Sequence, residues 1–256
     1  MSDHALELLS ISCTFHSKDD PGQRYTAVAD TTLRIRAGEF VSVVGPTGCG
    51  KSTLLNVGAG LLEPSSGTVK VFGKTLEGVN ARAGYMFQTE ALMPWRSAID
   101  NVMVGLQYRG VPDADARRQA EAWLARVGLA GFGDRYPHQL SGGMRHRAAL
   151  ARALINRPRI LLMDEPFAAL DAITREQMQN FLLDLWQRER MTVLFVTHDV
   201  EEAALLSDRV CIMSPRPGRI VDIVDIELAR PRDEALRDTA EFVALRHELR
   251  KRLASA

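Results

Sequence analysis

The sequence predicts an α/β protein, a mostly parallel sheet covered by helices on both faces, with a helical subdomain inserted between two strands. Three observations predict it. The runs Val41–Val44, Ile160–Met163 and Val193–Val196 are almost wholly apolar, as strands buried on both faces read. Helical patterns at Lys51–Ala59, Asp113–Val127, Gly142–Ile155 and Thr174–Glu189 alternate with strand-like runs, which argues for a covered sheet. From Leu92 to about Asn156 the pattern is largely helical, with no convincing strand.

Strand-like runs lie at Leu6–Ile11, Leu33–Arg36, Phe40–Val44, Thr68–Phe72, Tyr85–Gln88, Ile160–Asp164, Val193–Thr197 and Arg209–Met213. Within the helical stretch, Pro112-Asp113 starts a helix with Asp115 and Glu121 near its first turns. Gly131-Phe132-Gly133 and Pro137 mark connections there. A last helix around Glu234–Leu253 carries Phe242, Leu245, Leu249 and Leu253 on one face and arginines on the other. It reads as a helix packed by its apolar seam, with a regulatory contact as the alternative. The expected organisation is one domain over 1–256: a sheet core of 1–91 and 157–226, a helical subdomain at 92–156 and a helical tail at 227–256.

A chain of 256 residues can bury a proper core. Its formal net charge is zero, with acids and bases interleaved, so no overall field draws it to nucleic acid or anionic lipid. Cys13, Cys49 and Cys211 are far apart and suggest neither a zinc site nor a disulfide framework. No apolar run approaches the ~18 residues needed to span a bilayer. Asp3 and Glu7 stand where a signal peptide needs cations, so a cytosolic, reducing location is expected.

The chemistry enters at Gly45-Pro46-Thr47-Gly48-Cys49-Gly50-Lys51-Ser52, which fits G-x-x-x-x-G-K-[ST] between an apolar strand and a helix that continues with Thr53. Glycines let successive N–H groups converge on phosphate oxygens, and the helix N-terminus adds its positive end. Lys51 would reach the β- and γ-phosphates, and the Ser52 hydroxyl would ligate magnesium. Downstream, Ile160–Asp164 ends in acids. Placed beside the phosphate-loop strand, it would hold Asp164 near the magnesium and leave Glu165 free to take a proton from water. At Leu140-Ser141-Gly142-Gly143-Met144, Ser141 caps a helix whose first N–H groups are bare of side chains, a second anion clamp. Gln88 and His198 end two further strands, and a γ-phosphate role is read for His198.

Taken in order, these segments resemble the ATP-binding subunit of an ABC transporter, from about Leu6 to Ile226. Gly45–Ser52 matches the Walker A loop, Gln88 the Q-loop glutamine and Leu140–Met144 the signature. Ile160–Glu165 matches Walker B with its catalytic glutamate, Asp171 the D-loop and His198 the switch histidine. The resemblance implies a P-loop NTPase core with an antiparallel β portion near the N-terminus. It implies ATP and Mg2+ as ligands, with Ser52, Gln88 and Asp164 toward the metal. It also implies a head-to-tail dimer, each ATP lying between one copy's Walker A and the other's Ser141–Gly143, with Asp171 bridging the halves. The dimer would sit on the cytoplasmic face of the plasma membrane as a peripheral partner of an integral permease, which a solute-binding protein serves.

A narrower resemblance rests on Ala91-Leu92-Met93-Pro94-Trp95, Asp100-Asn101-Val102 and Ser214–Ile220, and points to importers of nitrate, sulfonates, taurine and related small solutes. Leu92, Met93 and Trp95 would form a socket for the permease, or pack the subdomain core. The short tail after Ile226 is expected to exclude a large extra regulatory domain. His146 departs from the usual signature helix, and a pH-sensitive contact is expected there. Adenine would stack on Phe15, with Tyr25 as alternative beyond the loop Ser17–Arg24. The competing reading is a soluble ABC-type ATPase acting on nucleic acid or ribosomes. The chain lacks the long coiled-coil insertion, second cassette or basic stripe that such relatives carry. A small-molecule kinase would have no use for the signature segment.

Overall fold

The structure, a computed structural model describing residues 3–16, 23–232 and 234–256, opens with two long antiparallel strands, β1 (His4–His16) and β2 (Arg24–Arg36). Both run further than their apolar stretches alone suggest, because Phe15 pairs with Tyr25 and Thr14 with Thr26 near the open end. Most of the loop expected at Ser17–Arg24 lies outside the described residues. With β4 (Ser66–Val71) and β5 (Lys74–Thr75) they make a four-stranded antiparallel sheet in the order β2-β1-β4-β5.

The second sheet has the order β10-β9-β3-β8-β7-β6. Its strands are β3 (Phe40–Val44), β6 (Ala83–Met86), β7 (Ile160–Asp164), β8 (Thr192–Thr197), β9 (Arg209–Met213) and β10 (Ile220–Asp225). All pair in parallel except the edge strand β10. Side chains alternate between two cores, as a period of two requires. Leu161 and Met163 join Phe40, Val193 and Phe195 in one, while Ile160 and Leu162 join Val41, Val43 and Leu194 in the other. One expectation fails in detail: β7 does not lie beside β3, because β8 runs between them.

Helix α1 (Lys51–Gly58) belongs to the core shared with the antiparallel sheet. The opposite core takes α2 (Ala98–Tyr108), α3 (Asp113–Arg126), α4 (Gly142–Leu154), α5 (Ala172–Glu189), α6 (Val200–Leu206) and α7 (Ala240–Ala254). Helices therefore cover both faces, and α2, α3 and α4 all fall between β6 and β7 with no described strand among them. Side-chain oxygens cap several N-termini: Ser97 for α2, Ser141 for α4, Asp171 for α5, Asp199 for α6 and Thr239 for α7. The Thr239 cap divides the expected C-terminal helix into a 3-10 turn, Glu234–Asp238, and α7. Phe242 and Leu249 are fully buried and Leu245 and Leu253 half-buried, so the predicted seam is the packed one.

Candidate active site

The phosphate loop leaves β3 at its carboxyl end and enters α1 through Gly50 in the left-handed region, φ +105°. A Cβ there would stand 2.6 Å from Val28 Cγ2 and 2.9 Å from the Ala27 carbonyl oxygen, so only glycine fits both conformation and space. Lys51 is buried, and its Nζ donates to the Gly45 and Pro46 carbonyls at 2.9 and 3.1 Å, curling the ammonium inside the loop. Cys49 is also buried, which pushes its thiol up and leaves it poorly nucleophilic.

Although β8 separates their strands, Ser52 reaches Asp164: its hydroxyl donates to Oδ1 at 2.9 Å. Burial pushes the Asp164 carboxyl up, and the Ser52 hydrogen bond offsets part of the rise. A desolvated carboxyl against a hydroxyl gives a pair of hard oxygens, which suits magnesium, an ion that takes few protein ligands beside phosphate and water. Among the described residues no cluster of three or more His, Cys, Asp or Glu competes as a metal site.

Glu165 follows β7 with φ +43°, a conformation uncommon for a side-chain-bearing residue, while its N–H donates to the Val196 carbonyl at 2.8 Å. That turn brings its carboxylate among three other groups: Lys51 Nζ at 3.8 Å, Gln88 Nε2 at 3.5 Å and His198 Nδ1 at 3.0 Å. Gln88 stands two residues past the end of β6 and His198 one past β8, so strand ends on either side of β7 aim both at one point. His198 remains 57% exposed and faces the cleft.

The cleft measures about 500 Å³, and Phe15 and Tyr25 form its outer wall beside Thr47, Gly48 and Thr53. The two rings lie 5.8 Å apart, so both aromatic candidates reach the same place. Sequence reasoning missed Arg216 as a lining residue: its guanidinium sits 4.9 Å over the Tyr25 ring and donates to the Gly48 carbonyl at 3.3 Å. Nothing local in the sequence signals this, since Gly218 brings that segment in through backbone hydrogen bonds with Ala27 and Ala29.

Ser141, Gly142 and Gly143 do not line this cleft. Ser141 Oγ accepts from the Met144 N–H at 3.2 Å, and a Cβ on Gly143 would stand 2.7 Å from Thr174 Cγ2. Asp171 caps that same threonine, accepting from the Thr174 N–H at 3.0 Å, which holds its carboxyl below the usual range. The signature segment and Asp171 thus share one surface. One turn along α4, His146 is buried beside Phe167, and burial drops its imidazole to about 4. The expected pH-sensitive contact at neutral pH is therefore absent, because the position faces the core.

The ABC transporter family profile matches residues 28–168. An uncharacterized ABC transporter ATP-binding protein of Methanocaldococcus jannaschii is 50% identical over 228 residues, 89% of this chain and 84% of that protein. The taurine import ATP-binding protein TauB of Chromobacterium violaceum is 47% identical over 234 residues, 90% of each chain. A solved dimeric ATP-binding cassette in a post-hydrolysis state, bound to ADP and Pi, superposes with a TM-score of 0.77 at 31% identity, covering 88% of this chain and 100% of that one. With a phosphate loop, a strand-end acid pair and a converging glutamine and histidine in one cleft, the chain belongs to the ABC transporter family as an ATP-binding, ATP-hydrolysing subunit.

Proposed function

We propose that this subunit energises import of a small solute of the sulfonate, taurine or nitrate kind through a membrane permease. The observation that carries the hydrolytic reading is the meeting of Lys51, Gln88 and His198 around the Glu165 carboxylate. ATP would lie with its phosphates along Gly45, Pro46, Thr47, Gly48, Cys49 and Gly50 and on Lys51, Ser52 and Thr53, its adenine on Phe15. Ser52 and Asp164 would hold magnesium with Gln88 nearby, and the ion would neutralise charge on the phosphates. Glu165 accepts a proton as a water oxygen bonds to the γ-phosphorus and the bond to the bridging oxygen breaks, giving ADP and phosphate. His198 would donate to the γ-phosphate.

The clamp at Ser141–Gly143 completes the site only if a second copy supplies it, with Asp171 alongside. That these residues do not line the cleft supports this, as does the dimeric arrangement of the related cassette. The domain reading follows: a core of 1–91 and 157–226 turns over ATP, the 92–156 helices carry the clamp, and 227–256 forms a packed tail.

Docking to a permease is supported by Trp95, which is 73% exposed. Asn101 holds its loop from beneath, accepting from the Met93 N–H at 2.7 Å and donating to the Met93, Arg96 and Ser97 carbonyls. Leu92 packs against the core instead, so the socket reading attaches to Trp95. No described helix is long and apolar enough to cross a membrane, in keeping with a peripheral subunit on the cytoplasmic face. The cargo class comes from likeness to the taurine import proteins. Capture of tagged Glu165→Gln protein from solubilised source-cell membranes, with ATP and magnesium, tests the assembly. Recovery of a multi-span permease and a solute-binding protein supports it, while recovery of only nucleic-acid or ribosomal partners overturns the transport reading.

A further inference from the structure

Behind the cleft, a buried polar network runs from the C-terminal segment to the residue that precedes His198. The Thr197 hydroxyl donates to Glu202 Oε2 at 2.7 Å and accepts from the Asp199 N–H at 3.0 Å. Glu202, 6% exposed on α6, accepts at its other oxygen from Gln179 Nε2 of α5 at 3.1 Å. Gln179 is 2% exposed and in turn accepts from Arg237 of the 3-10 turn at 2.5 Å. Arg237 stands 3.7 Å from Glu201, which pairs with Arg246 of α7 at 3.0 Å.

A buried carboxyl is costly unless its oxygens are satisfied, and here two neutral donors from different elements satisfy them. An ionised carboxylate accepts from both. Once protonated, one oxygen becomes a donor, so the two charge-assisted bonds weaken and one must rearrange: Thr197 can accept only by turning its own hydrogen elsewhere, and Gln179 Nε2 cannot accept at all. Thr197 and Asp199 flank His198, and both are tied to this carboxyl's surroundings, Asp199 by accepting from the Glu201 and Glu202 N–H groups. Among the described residues, the imidazole itself is anchored at Glu165. Its placement therefore depends on the turn beneath it.

We infer that Glu202 is a positioning residue for His198, holding the turn that carries the imidazole, and that Gln179 and Arg237 let the C-terminal segment set the same turn. This rests on reading His198 as a γ-phosphate ligand. The groups facing Glu202 are Thr197 from β8, Gln179 and Arg175 from α5, and Asp199 at the start of its own helix, with Arg237 behind Gln179. Burial pushes the Glu202 carboxyl up to about 7. The Thr197 and Gln179 hydrogen bonds and the Arg175 charge pull against that rise, and the Asp199 charge adds to it. Below that pH the turn loosens and turnover falls; above it the carboxylate holds both donors. A partner that draws Arg237 away would act in the same direction as acid.

The test is steady-state ATPase of the full chain with magnesium from about pH 5.5 to about 9, a range that brackets the titration. His198→Ala should abolish turnover; if it does not, the underlying reading of the histidine fails. Glu202→Gln should lower kcat by roughly tenfold with KM little changed, as lost positioning does, and should flatten an acid limb centred near pH 7. Arg237→Gln should move that limb to higher pH. An inactive His198→Ala beside a Glu202→Gln variant with normal kcat and an unchanged profile overturns the positioning role. An unmoved limb in Arg237→Gln overturns the link to the tail. Thr197→Val and Thr197→Ser keep the carboxyl in place and serve if Glu202→Gln does not fold. Loss of kcat in the valine variant with recovery in the serine variant supports the inference, and equal turnover in the two overturns it.

Discussion

The phosphate loop and the start of α4 share one device, a helix N-terminus with glycine at its cap or in its first turn, yet the chain completes only one of them. Around the loop, Ser52 meets Asp164 at 2.9 Å, and Glu165 has Lys51, Gln88 and His198 within 3.8 Å. At the start of α4 the Ser141 hydroxyl is spent on its own helix, Gly143 abuts Thr174, and none of the three signature residues lines the cleft. The contrast teaches that bare N–H groups are not yet a site: chemistry requires groups from other strands to converge on them. For the first device those groups come from β6, β7 and β8; for the second, on our reading, they come with a nucleotide held by another copy.

The largest expected effect breaks the complete half. Glu165→Gln should lower turnover by roughly a thousandfold, as removal of a positioned proton acceptor does, while leaving ATP bound. With ATP and magnesium it should migrate as a dimer on size exclusion. Persistence as a monomer would contradict the shared-site reading.

The next prediction separates the two halves. Lys51→Ala should weaken ATP binding by about tenfold or more, through loss of charge-assisted contacts. Ser141→Arg should bind ATP normally as a separate chain yet fail to turn over. Mixed in equal amounts, the two inactive variants should regain part of the activity, since a mixed dimer contains one site with an intact loop and an intact clamp. Weakened ATP binding by Ser141→Arg alone would return the clamp to its own chain's nucleotide.

Within the complete half, Phe15→Ala should raise the ATP dissociation constant about tenfold, in keeping with the ~1–3 kcal/mol of base stacking on an aromatic ring. Tyr25→Ala should do less, because Arg216 already lies over one face of that ring. The reverse order in a nucleotide titration would move the adenine to Tyr25.

What the sequence disclosed follows from the same contrast. The phosphate loop, Asp164, Glu165, Gln88 and His198 were legible because each sits at the end of an apolar strand, and parallel strands present their ends at one edge. The order of those strands was not legible. Val193–Thr197 and Ile160–Asp164 look alike as apolar runs, and nothing local says which lies next to Phe40–Val44. Helix α6 has seven residues, too few for a clear period, and β10 carries Asp222 and Asp225 on an exposed edge. Arg216 and Glu202 were missed for a related reason. Their roles depend on tertiary placement, through the Gly218 contacts in one case and the packing of α5 on α6 in the other.

The smallest expected effect is a cancellation between two buried titratable groups, one on α4 and one on α6. His146 falls from 6.5 to about 4, so the unfolded chain binds more protons between those values, and stability is lost as pH falls through that window. Glu202 rises from 4.5 to about 7, so the folded chain binds more protons there, and stability is lost as pH rises through that window. Each shift corresponds to ~3 kcal/mol. Over their shared range, about pH 4.5 to about 6.5, the slopes oppose, and this pair should leave urea stability nearly flat. Replacing one partner uncovers the other. His146→Met, which fills the place beside Phe167 without a titrating group, should lose ~3 kcal/mol between the lower and the upper pH. Glu202→Gln should gain a similar amount over the same interval. If both variants kept the parent's flat profile, neither group would be titrating out of register with the unfolded chain. The buried faces of the clamp helix and of α6 would then be electrostatically silent.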